Sequence, residues 1–212
     1  MFRVLYVKEL RSAWPFAALA LVVQGILCAN RLEDASLDPI GVLEDHEFLH
    51  LLGILAVGFG LLLGIWQTFP ESAMGTMAFL VQTARSRAAI VAAKISASAT
   101  LIFASLIFPL LGTTALLIHR SSYFVPLTWS DTRYLWVICW AGIGANIGSV
   151  AIGIRGLLWK EGWRQACGAI VVLTAVILAL AVPFLGWAIA LLSGVTLLFL
   201  GWALTGLAVR EF

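Results

Sequence analysis

Charged residues are scarce in this chain of 212 residues: Asp, Glu, Lys and Arg together make up 11%, whereas hydrophobic residues make up 62%. A soluble domain carries about 25% charged residues, which help to cover its surface with polar groups. The mean hydropathy of +1.02 agrees with this deficit. The composition therefore excludes an ordinary soluble domain and predicts an integral membrane protein.

Several kinds of functional site are also missing. The formal net charge of +2 argues against the concentrated basic surface of a nucleic-acid-binding protein. The three cysteines are far apart in apolar runs, so they indicate neither a disulfide framework nor a zinc site. The sequence contains no phosphate-binding Gly-x-x-x-x-Gly-Lys-Ser/Thr loop and no Gly-x-Ser-x-Gly motif. We therefore expect no catalytic residues and no ATP hydrolysis by this chain itself.

Long uncharged runs define the predicted membrane-spanning helices, each of which needs about 20 apolar residues to cross the hydrocarbon core. The last run, residues 165–209, contains 45 residues and is broken near its middle by Pro183 and Gly186, so it is long enough for two crossings. The sequence predicts an all-α bundle of six transmembrane helices, at residues 14–29, 48–69, 95–118, 134–154, 165–185 and 187–209.

The distribution of Lys and Arg predicts the orientation. With the N-terminus inside, ten of these residues lie in cytoplasmic segments and three, Arg31, Arg120 and Arg133, lie outside. Cytoplasmic loops are enriched in positive charge. We therefore expect a multi-pass protein of the bacterial plasma (inner) membrane with both termini in the cytoplasm.

Residues 1–12 form a predicted amphipathic helix in the membrane interface. Arg3, Lys8 and Arg11 fall on one half of a helical wheel and apolar side chains on the other, and Pro15 suits the first turn of the following helix. Glu9 lies among the apolar residues. It either pairs with a basic residue elsewhere or extends its carboxylate to the interface, and the second is the simpler expectation.

The segment 70–87 between the second and third predicted crossings carries the most distinctive pattern. Pro70 and Glu71 are typical of a helix start, and a short apolar helix follows, which Arg85-Ser86-Arg87 ends. Such an apolar segment at the inner surface calls for a partner. The sequence predicts a cytoplasmic helix that docks on another protein.

The motif Glu71-x-x-x-Gly75-Thr76-x-x-Phe79-Leu80, followed by Ser86-Arg87 and Lys94, resembles the permease subunits of ABC-2 type transporters. Ala73 and Ala84 stand where that family usually has a second acidic residue and a proline. The six-helix topology with an interface helix and an inner short helix resembles the family over essentially the whole chain.

The resemblance implies a transport function. In that family the inner helix is a coupling helix seated on a separate ATPase subunit, which binds ATP and magnesium. By resemblance Glu71, Gly75, Thr76, Phe79, Leu80 and Arg87 couple this chain to the ATPase. A second permease copy or a related permease completes the path. The expected cargo is a hydrophobic or amphiphilic compound, lipid or peptide, and the expected direction of transport is export.

Two intramembrane polar side chains, Gln24 and Asn146, are candidates for the lining of the translocation path. An alternative function rests on His46 and His50, which are four residues apart and share a helical face. With Glu47 beside them, they suggest a membrane-anchored haem-binding or redox-complex subunit.

Overall fold

The computed structural model describes residues 2–34, 46–74, 87–120, 129–154, 170 and 185–209. This part of the chain is all-helical. Its five long helices are α1 (Phe2–Asp34), α2 (His46–Ala73), α3 (Arg87–Arg120), α4 (Trp129–Ile154) and α5 (Leu185–Val209). Each contains a stretch long and apolar enough to cross a membrane. The all-helical architecture and the multi-pass membrane character are thus confirmed.

Two predicted helix boundaries differ from the structure. Residues 2–34 form one continuous helix through Pro15, so the division into an interface helix 1–12 and a crossing at 14–29 is not confirmed. Pro70 lies inside α2, which continues to Ala73, so Pro70 and Glu71 form the last turn of a long helix and begin no new one. The contacts of Lys8 and Glu9 before Pro15, and of Glu71 beside Pro70, favour the helix despite the lost N–H donor.

The remaining crossings match the sequence more closely. Residues 134–154 form a candidate span with the predicted bounds, and α5 begins two residues before the predicted 187–209. The predicted helix 165–185 lies outside the described residues, apart from Ile170 and Leu185. A bundle of six helices therefore stays a prediction.

Side-chain contacts give the direction of each helix. Lys8 of α1 contacts Glu71 of α2, and the ring of Phe16 packs on that of Trp66, so α1 and α2 are antiparallel. Lys94 and Ser98 of α3 contact residues 71 and 67 of α2 in the same antiparallel sense. The first residue of α1 and the last residue of α2 consequently lie at the same end of the bundle, which we call the N-terminal end.

Helices α2, α4 and α5 run parallel to one another. Asn146 of α4 binds the carbonyl of Gly60, and Gly153 packs on Thr68 farther along both helices. On the other side of α4, Gly144 packs on Thr196 and Gly148 packs on Phe199. Helix α4 therefore ends, and α5 begins, at opposite ends of the bundle.

The contact between α2 and α4 is made by backbone. A Cβ atom added to Gly60 would overlap the carbonyl oxygen of Gly142, and one added to Gly64 would lie 2.8 Å from the carbonyl oxygen of Asn146. Small residues allow this close approach, which favours van der Waals contact in a membrane where burial of apolar side chains offers little. Helices α2 and α4 form an interlocked pair, and most of the apolar stretch of α4 is buried.

Candidate functional site: a buried charge cluster

Four charged side chains from three helices meet at the N-terminal end of the bundle. We call Lys8 and Glu9 of α1, Glu71 of α2 and Lys94 of α3 the charge cluster. The Lys94 Nζ atom lies 3.0 Å from Glu9 Oε1 and 2.9 Å from Glu71 Oε2. The Lys8 Nζ atom lies 2.6 Å from Glu71 Oε1 and 3.8 Å from Glu9 Oε1. The two lysines and the two carboxylates balance in charge.

Burial differs among the four side chains. Lys94 is 1% exposed and Glu9 3%, whereas the Lys8 side chain is 51% exposed. Removing a charge from water costs several kcal/mol per ion, so a lysine as buried as Lys94 needs ionic partners and further hydrogen bonds. Lys94 has both, because it also donates to the main-chain carbonyl of Gln67 at 2.7 Å.

Uncharged polar groups extend the cluster along the contact between α2 and α3. The Ser98 hydroxyl donates to Gln67 Oε1 at 2.9 Å, and both residues are buried. The Gln67 Nε2 atom has no hydrogen-bond partner within the described residues. The boundary between α2 and α3 is therefore polar at this end, in contrast with the glycine contact between α2 and α4.

Helices α1 and α3 also make apolar contacts beside the cluster. Leu5 packs in one core cluster with Ile90, Val91 and Ala93, and the Tyr6 hydroxyl lies 3.0 Å from Thr100 Oγ1. The same apolar cluster includes the end of α4 and Ala203 of α5, so it packs four helices together at this end of the bundle.

The structure distinguishes between the two interpretations of Glu9, pairing with a basic residue and extension to the interface. The expectation that it extends to the interface is wrong: Glu9 is buried and pairs with Lys94, 85 residues away in the sequence. A carboxylate on the apolar face of a helix was the signal available in the sequence. Its partner could not be identified there, because pairing depends on the packing of α1 against α3.

The other predicted site residues are distributed as follows. Glu71 is in the charge cluster, and Arg87 begins α3. Gly75, Thr76, Phe79 and Leu80 lie outside the described residues. Gln24 and Asn146 are both buried.

Gln24 and Asn146 are not joined by the contacts seen. The Asn146 amide Nδ2 donates to the Gly60 carbonyl at 3.2 Å, so this side chain links α4 to α2. Its Oδ1 atom and the Oε1 atom of Gln24 have no hydrogen-bond partner among the described residues. Both buried carbonyl groups retain the ability to accept a hydrogen bond.

The histidines on which the alternative function rests lie at the start of α2. His46 is the first residue of that helix and the His50 side chain is exposed. Across the residues that the structure describes, no three His, Cys, Asp or Glu side chains are grouped as metal ligands. No observation on these residues favours haem binding.

Comparison with known proteins gives no family assignment: no family model, no curated protein and no solved structure matches this chain.

Proposed function

We propose that this chain is the membrane-spanning permease subunit of an ATP-binding-cassette transporter of the ABC-2 type. The observation that carries the proposal is the ion pair between Glu71 and Lys94, at 2.9 Å. These residues are the first and last positions of the motif on which the family resemblance rests. Their contact joins α2 and α3, the two helices that flank residues 75–86 in the sequence.

The proposed mechanism is mechanical. A separate ATPase subunit binds ATP and magnesium, and its closure displaces the coupling segment that follows α2. Because Glu71 and Lys94 flank that segment and also contact α1, a displacement reaches three helices at once. The chain itself acts as the transport subunit and leaves ATP hydrolysis to the partner.

The directions of the helices support the proposed six-helix topology. Ile154 ends α4 and Leu185 begins α5 at opposite ends of the bundle, so the intervening residues connect one end with the other. Ile170, about halfway between them in sequence, is buried against Gly148, which lies in the second half of α4 toward its end. A crossing at residues 165–185 accounts for both observations.

The proposed orientation places the N-terminal end of the bundle in the cytoplasm. The helix ends gathered there are flanked by ten of the thirteen Lys and Arg residues. The positive-inside rule assigns such an end to the cytoplasm of a bacterial inner membrane. A reactive cysteine in place of Met74, which is exposed at this end, is expected to react with an impermeant reagent only after the cells are opened.

The translocation path in this proposal is completed by a second permease subunit. Gln24 and Asn146 are the candidates to line it, because each presents a buried carbonyl oxygen without a partner among the described residues. The apolar surroundings suit export of a hydrophobic or amphiphilic compound, lipid or peptide. The exposed apolar side chains of α1 and α5 are suited to contact with lipid.

Photocrosslinking in the native membrane tests the proposed function. A photoreactive amino acid at Phe79 is expected to capture a protein that mass spectrometry identifies as carrying a Gly-x-x-x-x-Gly-Lys-Ser/Thr loop. The control is the same amino acid at Leu197, an exposed apolar position in α5, which is expected to capture lipid. Capture of lipid alone at both positions contradicts the proposal.

A further inference from the structure

The charge cluster lies at the end of the bundle where the last turns of α2 meet α1 and α3. Helix α2 is interlocked with α4 through glycine backbone, and one apolar cluster packs Leu5 of α1 with the first turns of α3, the end of α4 and Ala203 of α5. At the N-terminal end, α2 meets α3 through the ion pair of Glu71 with Lys94 and the hydrogen bonds of Gln67. Polar contacts can exchange partners, whereas two backbones in direct contact cannot slide past each other without steric clash.

Both members of the pair between α2 and α3 have a second partner of opposite charge. Glu71 contacts Lys8 through its other carboxylate oxygen, at 2.6 Å, and Lys94 contacts Glu9 at 3.0 Å. If Glu71 leaves Lys94, it therefore keeps Lys8, and Lys94 keeps Glu9. A separation of α2 from α3 leaves no buried charge unpaired, which removes the largest penalty for breaking a buried ion pair.

The two lysines differ in exposure in the way that this exchange requires. Lys94 is 1% exposed and fixed inside the bundle, whereas the Lys8 side chain is 51% exposed. A long, half-exposed lysine side chain has the rotamer freedom to follow a carboxylate that moves outward. Glu9, buried on α1, stays with Lys94 because the apolar contact between α1 and α3 keeps these helices together.

We propose that Glu9 and Lys8 are positioning residues that let the end of α2 separate from α3 by partner exchange of Glu71. In the closed state Glu71 bridges Lys94 and Lys8; in the separated state it keeps Lys8, and Glu9 alone neutralises Lys94. The assignment of this motion to coupling rests on the proposed transport function. The motion itself is a property of this chain in a lipid bilayer.

Distances between spin labels test the exchange in the full chain in lipid nanodiscs, with the three native cysteines replaced. One label pair joins Met74 at the end of α2 to Ala92 in α3. A second pair joins Val7 in α1 to Ala92, and all three positions are exposed. The first pair reports separation of α2 from α3, and the second reports whether α1 stays on α3.

Two matched neutralisations, Glu71→Gln and Glu9→Gln, remove the same charge from the same cluster. Glu71→Gln is expected to raise the population ratio of long to short Met74–Ala92 distances about tenfold and to leave the Val7–Ala92 distance unchanged. Glu9→Gln is expected not to lengthen the Met74–Ala92 distance, because Lys94 then depends on Glu71. Equal lengthening in both variants overturns the proposal.

Lys8→Met gives a second test at a half-exposed position where folding tolerates substitution. Without Lys8, Glu71 loses the lysine that it keeps on separation from Lys94, so the Met74–Ala92 distances are expected to shift toward the short distance. If the ion pairs only hold α2 against α1 and α3, the opposite is expected: the loss of one ion pair in Lys8→Met lengthens the Met74–Ala92 distance. The distance measurements require no ATPase subunit. Failure to find an ATPase partner therefore refutes the proposed function, while the distances still test the exchange of Glu71.

Discussion

Helix α2 has two contacts of opposite kind. Toward α4 it presents Gly60 and Gly64, and the two backbones approach until no Cβ atom fits. Toward α3 its last turns present Glu71 and the polar groups of Gln67. The first contact depends on shape and tolerates no added atom, whereas the second depends on charge balance and tolerates rearrangement. The difference indicates a rigid contact of α2 with α4 and, in the proposed exchange, a movable contact of α2 with α3.

The largest loss of stability is expected from Lys94→Met in the charge cluster. This change leaves Glu9 and Glu71 as two buried carboxylates with only Lys8 of the cluster to balance them. Breaking a buried ion pair by removing one partner costs about 3–5 kcal/mol. Unfolding in mixed detergent micelles, followed by tryptophan fluorescence, measures the change.

A compensating variant is the control for that prediction. Lys94→Met combined with Glu9→Gln restores charge balance, with Lys8 and Glu71 still paired. We expect the double variant to regain part of the lost stability. The loss of stability caused by Glu9→Gln alone is measured as well. If the double variant loses as much as the two single variants added together, the two sites act independently, and the cluster does not balance its charges as a unit.

The contact of α2 with α4 is tested by Gly60→Ala. The new methyl group meets the Gly142 backbone, which cannot turn aside like a side chain, so we expect a loss of about 1–3 kcal/mol or more. Gly58→Ala is the matched control, because nothing lies within 4 Å of the position of its Cβ on the same helix. That control is expected to change stability by less than about 1 kcal/mol. Equal effects at both glycines contradict the interlocked contact.

A smaller effect is expected from Ser98→Ala in α3. The substitution removes the donor to Gln67 Oε1 and leaves a buried amide oxygen without it, at a cost of about 1–3 kcal/mol. Ser96→Ala is the control, because Ser96 binds a carbonyl of its own helix. The same unfolding assay distinguishes them, and equal stability of the two variants argues against a polar tie between α2 and α3.

Much of the fold followed from the sequence because membrane crossing leaves a strong composition signal. The uncharged runs located all five described helices, and residues 134–154 matched a described span. The boundaries at Pro15 and Pro70 differed, because proline signals a helix start only where no tertiary contact holds the helix on both sides. Lys8, Glu9 and Ser12 contact α2 or α3 just before Pro15 and keep that turn helical.

The candidate site was only partly accessible to sequence reasoning. Glu71 and Lys94 were singled out by the motif, and Glu9 by its place on an apolar face. The antiparallel packing of α2 against α1 and α3 brings them together. This packing determines which residues lie at the same depth along the bundle. Lys8 could not be distinguished from Arg3 and Arg11 by charge alone, because only the packing places it beside Glu71.

The most direct test of the transport proposal is ATP hydrolysis by the complex copurified with this chain and reconstituted in nanodiscs. Glu71→Gln is compared with Glu47→Gln, the same substitution in the exposed first turn at the other end of α2. The account predicts ATPase activity in the complex that changes about fivefold or more in Glu71→Gln and stays near the unsubstituted rate in Glu47→Gln. A purified chain with no ATPase subunit, or equal rates in the two variants, contradicts it.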